Sequence, residues 1–262
     1  MDSSLDRKDW ALSLLLVVTV AGVGLFIWWF VAWYFELPTA LLPSPAQCWD
    51  AGLENRQVLF DAVFKSTGLA SVAGLATSVV LGSLLAMVFS QSRKLRLALF
   101  PYIILLQTVP IVAIAPLLII WSGYTFRTVL IVTVIVSLFP IVNSVTTGLL
   151  SIDKDELDLF RLYRAGRFKT LRSLQVPSAV QHLVIGAKTS AALAVIGAIV
   201  AEFFVGDATN FTGLGTLMTG WQALAKTDAL IAALFCSAFL GLALFGFVHL
   251  ASVTVLRRWV VA

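Results

Sequence analysis

The sequence predicts an all-α membrane protein with about six transmembrane helices. Of its 262 residues, 60% are hydrophobic and only 12% are charged, whereas a soluble domain carries roughly 25% charged residues. A bilayer core about 30 Å thick needs about 20 apolar residues in a helix, and six runs meet this requirement. They cover residues 10–35, 63–89, 98–121, 129–150, 180–204 and 230–256.

The basic residues between these runs predict the orientation of the chain. With the N-terminus in the cytoplasm, 14 of the 18 Lys and Arg residues fall on the inner side, as the positive-inside rule requires. Six crossings then place both termini in the cytoplasm. We divide the chain into an N-terminal tail with the first helix, residues 1–35, and a core of five further helices, residues 36–262. The longest inner loop covers residues 151–178.

The first apolar run is predicted to be a retained helix. Arg7 and Lys8 precede it, as in a signal peptide, but the run is about 26 residues long and signal h-regions have roughly 7–15. Its aromatic residues Trp28, Trp29, Trp33 and Tyr34 are typical of a membrane interface.

The outer segment that follows contains Leu42-Pro43-Ser44-Pro45. Two prolines around a serine predict a turn, with Ser44 capping a short helix and Pro45 at its first position.

The two cysteines and two histidines carry no recognisable site. Cys48 lies in a polar stretch and Cys236 in an apolar run, so we expect different environments and no disulfide. His182 and His249 lack metal-ligand spacing, and we predict neither a metal nor a cofactor.

Small residues recur at every fourth position of the second and fifth runs. Helices in lipid approach closely where side chains are small, so both ridges predict helix interfaces, within the chain or with a second subunit. The ridges are Ser66, Ala70, Gly74, Ser78, Gly82 and Ala86, and then Gly186, Ser190, Ala194 and Ala198.

Prolines and polar residues in the third and fourth runs are compatible with a solute path. Pro110 and Pro140 each remove a helical hydrogen bond, and Gln107, Thr108 and Asn143 lie nearby. Polar groups at this depth face protein or water, so they either line a path or join helices. Ser190 is a further candidate for contact with solute.

Glu202 closes the fifth run. A carboxylate at the membrane centre costs about 2.5–3.5 kcal/mol on insertion scales, but this one lies near the outer end. We expect a position at the interface, with a gate or cavity as the alternative.

The inner loop predicts two short amphipathic helices. Asp153, Asp155 and Glu156 suit a helix N-terminus, and Leu157 and Phe160 follow at helical spacing. Ala165-Gly166 interrupts this helix before a second one that begins near Arg167. Such a pair could lie on the membrane or insert into a groove of another protein.

From residue 153 to about 202 the sequence resembles the conserved cytoplasmic EAA loop, and the helix that follows it, of binding-protein-dependent ABC importer permeases. Leu42-Pro43-Ser44-Pro45 and Thr212-Gly213-Leu214-Gly215 are similar to the nitrate/sulfonate/taurine subgroup. The resemblance implies a type I ABC importer permease fold in the bacterial inner (plasma) membrane. It also implies a homodimer, cytoplasmic ABC ATPase subunits and an extracytoplasmic solute-binding protein as partners.

In that family the loop docks on the ATPase. Asp158 matches the acidic position of the motif, Phe160 replaces an alanine, and Arg164 stands where a glycine is expected. Gly166 is then the candidate for the break between the helices. The resemblance assigns docking to Asp155, Glu156, Leu157, Asp158, Phe160, Arg161, Arg164, Ala165 and Gly166.

Absences in the sequence agree with a permease whose ATPase is a separate polypeptide. The chain has no Gly-x-x-x-x-Gly-Lys-Ser/Thr motif, which is the phosphate-binding loop of ATPases, no catalytic constellation and no basic-aromatic patch for nucleic acid. The main alternative is a secondary transporter or channel that needs no ATPase, a class typified by ionisable residues in mid-membrane and inverted repeats. In the subgroup the solute is a sulfonate, nitrate, or a pyrimidine- or flavin-like compound.

Overall fold

A computed structural model describes residues 3–206 and 212–254, with side chains at residue 12 and from residue 15 onward. Every regular element in these ranges is helical, which confirms the all-α prediction. The α-helices are α1 (Ser3–Tyr34), α2 (Pro45–Glu54), α3 (Arg56–Asp61), α4 (Gly68–Gln91), α5 (Arg93–Thr108), α6 (Ile111–Ser122), α7 (Phe126–Leu150), α8 (Lys154–Leu162), α9 (Arg167–Thr170), α10 (Val176–Val205), α11 (Leu214–Ala223) and α12 (Thr227–Thr254). Two π-helical stretches, Ala62–Thr67 and Leu171–Gln175, join α3 to α4 and α9 to α10.

Within the described ranges, five helical stretches are long and apolar enough to cross a membrane. They are Leu15–Tyr34, Arg56–Gln91, Phe126–Leu150, Arg167–Val205 and Thr227–Thr254. The predicted third crossing is wrong as a single helix, because α5 and α6 meet at a bend of 100°. Val109 ends α5 in an extended conformation and Pro110, which has no N–H to donate, precedes α6.

Helices α4 and α7 run parallel, and this shows that α5 and α6 together form one crossing. Contacting residues on the two helices keep a constant separation of 59 positions over two turns of helix, which only parallel neighbours can do. The pairs are Gly74 with Thr133, Ser78 with Ser137, and Gly82 with Ile141. Since α4 and α7 point the same way, α5 and α6 must together carry the chain back across the bundle. The described ranges therefore contain six crossings, one of them broken.

The ridge on α4 packs inside the chain. Ser66, Ala70, Ser78 and Ala86 are at most 2% exposed, and a Cβ atom on Gly74 would lie 2.3 Å from Cγ2 of Thr133. The predicted interface is thus confirmed. Gly74, Ser78 and Gly82 pack on α7, while Ser66, in the π-helical stretch before α4, contacts Glu202 on α10.

Helix α10 packs on α7 in the antiparallel direction. Gly186 lies against Pro140, and Gly148 lies against His182 near the other end of the contact. Ser190, Ala194 and Ala198 are fully buried, so the second ridge also forms an interface within the chain.

The two ends of the bundle are distinct. At one end the Gln175 side chain bonds to that of Gln91 (2.9 Å), where α4 ends and residues 151–178 lie. At the other end Thr227 donates to the carbonyl of Ala40 (2.5 Å), and Trp28 donates to the carbonyl of Pro43 (3.0 Å). Helix α1 therefore begins, and α12 ends, toward the 151–178 end.

The predicted turn before α2 is confirmed. The Gln47 amide donates to the Ser44 hydroxyl (3.3 Å), and the Ser44 amide donates to the Gln47 side chain (2.7 Å). This reciprocal capping, with Pro45 at the first helical position, fixes the start of α2.

The expectation that the cysteines occupy different environments is wrong. Cys48 and Cys236 both line an apolar cavity of 570 Å³ between α1, α2 and α12. Both are free thiols. Burial, with a smaller contribution from the charge of Asp228, raises the pKa of the Cys48 thiol, so little reactive thiolate is present at neutral pH.

Candidate functional site

The segment 151–178 forms two short helices at one end of the bundle. Asp153 caps α8 by accepting a hydrogen bond from the Asp155 amide (3.2 Å), as its position in the sequence indicates. The break between the helices covers residues 163–166, so the predicted interruption at Ala165-Gly166 is confirmed. The left-handed residue in this break is Arg164, with φ 51°, whereas Gly166 has φ −65° and directly precedes α9. Arg164 adopts the backbone conformation for which glycine is the usual residue.

Three large apolar side chains of this segment are exposed among its charged residues. Leu162 and Tyr163 are 80% exposed and Phe168 is 75% exposed, while Leu157 and Phe160 are half-buried against the chain itself. The docking residues assigned from the sequence include the half-buried pair and omit Leu162, Tyr163 and Phe168. The signal was present, because Leu159, Leu162 and Tyr163 also have helical spacing.

The other docking candidates lie at the surface of the segment. Asp158 forms an ion pair with Arg161 at 2.8 Å, and exposed pairs of this kind contribute only about 0–1 kcal/mol. Ala165 is half-buried, and the remaining charged candidates, Asp155, Glu156 and Arg164, are exposed.

Three of the five path candidates are exposed. Gln107 and Thr108 lie at the end of α5 beside the bend. Asn143 lines a cavity of 360 Å³ between α5 and α7, together with Thr147 and Arg96. Ligand pockets are about 300–1,000 Å³, so this cavity is large enough for a small solute.

The other two path candidates are buried between helices. Ser190 is fully buried and donates a 2.6 Å hydrogen bond to the carbonyl of Ser137. Glu202 lies in the last turn of α10, near its outer end as expected, but it is only 2% exposed and is covered by protein. In this structure both residues join helices.

Glu202 is held by three donors from distant parts of the chain. Its Oε1 accepts from the Ser66 hydroxyl (2.9 Å), and its Oε2 accepts from the Thr67 hydroxyl (2.8 Å) and the Gly215 amide (3.0 Å). The Leu214 amide in turn donates to the Thr67 oxygen (2.8 Å). A buried carboxylate needs such donors, and here they tie α10 to the start of α11 and to the π-helical stretch before α4.

Two glycines make this arrangement possible. A Cβ on Gly213 would lie 2.0 Å from the Glu202 carboxyl carbon, and one on Gly215 would lie 2.3 Å from the carbonyl oxygen of Ile199. The Thr212-Gly213-Leu214-Gly215 stretch is therefore required by the packing of Glu202.

Sequence reasoning also missed Lys188, which it counted with the cytoplasmic residues. Lys188 lies between Gly186, which contacts Pro140, and Ser190, which bonds to Ser137. Pro140 and Ser137 are near the middle of α7, so Lys188 lies at the mid-height of the bundle. Lys188 lies within an apolar run of 25 residues, and this position in the sequence already indicated a place inside the membrane.

Comparison with known proteins identifies the family. Residues 78–261, more than two thirds of the chain, match the family described as binding-protein-dependent transport system inner membrane component. This chain belongs to that family. It is therefore the permease component of an ABC importer, and a multi-pass membrane protein.

Individual relatives agree with this assignment. The chain is 29% identical to a probable ABC transporter permease protein of Haemophilus influenzae over 88% of its length and 93% of the relative. It is 30% identical to the riboflavin transport system permease protein of Chloroflexus aurantiacus over 92% of its length and 88% of the relative. Identity to the formylaminopyrimidine transport permease protein of Halalkalibacterium halodurans is 33%, over 62% of this chain and 65% of that one.

Proposed function

We propose that residues 153–177 dock a separate cytoplasmic ABC ATPase. The observation that carries this proposal is the exposure of three large apolar side chains in this segment, Leu162, Tyr163 and Phe168, each at least 75% exposed. Large apolar side chains at the end of a bundle gain most when another protein covers them. The chain has no phosphate-binding loop of its own, so the energy of transport comes from a partner.

The same proposal places both termini and the docking segment in the cytoplasm. Of the 18 basic residues, 13 fall on that side and 4 on the other, once Lys188 at mid-height is left out. The geometry supports this orientation, because α1 begins and α12 ends toward the end of the bundle that carries residues 151–178.

The docking segment is connected directly to the bundle, so a movement of this segment would reach the membrane helices. Helix α9, the π-helical stretch and α10 form one continuous helical stretch, Arg167–Val205, of 39 residues. Closure of two ATPase subunits would move α8 and α9, and α10 would carry the movement to its close contact with α7. Two copies of the permease would form the path, with Gln107, Thr108 and Asn143 exposed to it. A solute-binding protein would deliver solute at the opposite face.

The solute belongs to the small organic and inorganic compounds carried by similar importers. The similar permeases are named for riboflavin, formylaminopyrimidine and aliphatic sulfonates. We propose a sulfonate, nitrate, or a pyrimidine- or flavin-like compound for this chain.

Co-purification tests the docking role. The double variant L162E/Y163E should lose the ABC ATPase that is co-expressed with the permease, with at least tenfold less recovered. The matched control is L224E, since Leu224 is 66% exposed and lies between α11 and α12 at the other end. Full recovery of ATPase with L162E/Y163E, or equal loss with L224E, would contradict the proposal.

A further inference from the structure

Lys188 is a cation at the mid-height of a membrane bundle. The contacts of Gly186 with Pro140 and of Ser190 with Ser137 bracket it on α10, and each of those partners lies near the middle of α7. The side chain is half-buried, and it forms no ion pair with any carboxylate in the described ranges. Neither a buried salt bridge nor a position at the interface therefore accounts for it.

The surface around Lys188 is the exposed face of α10. Ile185 and Ile196 are 58% and 51% exposed, and Thr189 and Gln181 are exposed on the same side. Polar side chains alternate here with apolar ones. A charged side chain facing hydrocarbon at this depth is costly, so ionisable residues in membrane helices face a water-filled cavity or protein.

We propose that this face of α10 lines the water-filled solute path and that the Lys188 ammonium contacts an acidic group of the solute. The inference rests on the proposed function. The ammonium is a compact point charge with three donors, which suits an oxyanion such as a carboxylate, sulfonate or phosphate. The low-dielectric protein and lipid around such a path focus the field of the charge, so the attraction is stronger there than at an open surface.

Cysteine accessibility tests the position of this face. In a full-length chain with Cys48 and Cys236 replaced by alanine, K188C is treated with two water-soluble methanethiosulfonate reagents, one bearing a sulfonate and one a trimethylammonium group. The matched control is V80C. Val80 is 58% exposed and, by the α4–α7 register, lies at the same height on an apolar face. K188C should react at least tenfold faster than V80C with both reagents.

A second measurement tests the charge. At T189C, beside Lys188, the ratio of the sulfonate rate to the trimethylammonium rate should fall about fivefold when K188Q is added, because one positive charge is lost. K188R should keep the ratio. These rates need no ATPase, binding protein or known solute, so their failure is distinct from a failure of ATPase docking.

Two results would overturn the proposal. If K188C reacts with membrane-permeant N-ethylmaleimide but, like V80C, not with the charged reagents, the side chain faces lipid. If T189C reacts with both reagents and K188Q leaves their ratio unchanged, the path is present but Lys188 does not select anions in it.

Discussion

The amide of Gly215 donates a 3.0 Å hydrogen bond to the carboxylate of Glu202. This bond joins the first turn of α11 to the last turn of α10. Ser66 and Thr67 complete the site from the other side. One carboxylate thus fixes three segments at the end of the bundle opposite the docking segment.

Removal of this carboxylate should destabilise the protein. E202A leaves the Gly215 amide unpaired and opens a cavity, and we expect a loss of about 2–4 kcal/mol in the free energy of unfolding. E202Q keeps the volume and should lose less, and S66A should lose about 1 kcal/mol because Thr67 still serves the carboxylate. Unfolding of the purified variants in detergent measures the loss of stability in E202A, E202Q and S66A. An unchanged midpoint for E202A would contradict the assigned role.

Gly213 should not tolerate alanine. The added Cβ would lie 2.0 Å from the carboxyl carbon of Glu202, and relief of such overpacking costs about 1–3 kcal/mol. Gly220 on α11 is the matched control, because a Cβ there meets no atom within 4 Å. We expect G220A to be neutral or slightly stabilising through helix propensity. Equal unfolding midpoints for G213A and G220A would exclude this packing.

The close approach of α4 to α7 should depend on Gly74. In G74A the new Cβ would lie 2.3 Å from Cγ2 of Thr133, so the helices must separate and stability should fall by about 1–3 kcal/mol. T133S removes that methyl group and should restore part of the loss in the double variant. G246A, where a Cβ meets no atom within 4 Å, is the control. Absence of rescue by T133S would argue against this contact.

Arg164 should be replaceable by glycine. Its φ of 51° costs a non-glycine residue about 1–2 kcal/mol, partly offset by the flexibility that glycine adds to the unfolded chain. R164G should therefore raise the free energy of unfolding by up to about 1 kcal/mol and retain the ATPase. Loss of the ATPase in R164G, with stability unchanged, would show that the side chain itself contacts the partner.

The crossings were predictable because lipid imposes a simple requirement on the sequence. Each of the six apolar runs corresponds to a crossing, and Ser44 caps α2 as expected. Pro110 marked the place of the break in the third crossing, but the bend of 100° depends on the extended conformation of Val109, which no local pattern specifies.

Long-range contacts explain the other differences. The environment of Glu202 depends on Ser66 and Thr67, which lie 136 and 135 positions earlier, so its burial could not be read from its neighbours. In α8 two apolar stripes have helical spacing, and the spacing does not show which of them is exposed. In the fold Leu162 and Tyr163 are 80% exposed, whereas Leu157 and Phe160 are half-buried.

Site-specific photocrosslinking tests the central claim most directly. A photoreactive phenylalanine analogue is placed at Tyr163 in the docking segment or at Tyr124, which is 57% exposed and lies before α7 at the opposite end. In cells that express the complete importer, we expect the probe at position 163, and not the one at 124, to crosslink to the ABC ATPase. Crosslinking to the ATPase from position 124, with none from 163, would contradict both the docking surface and the orientation of the chain.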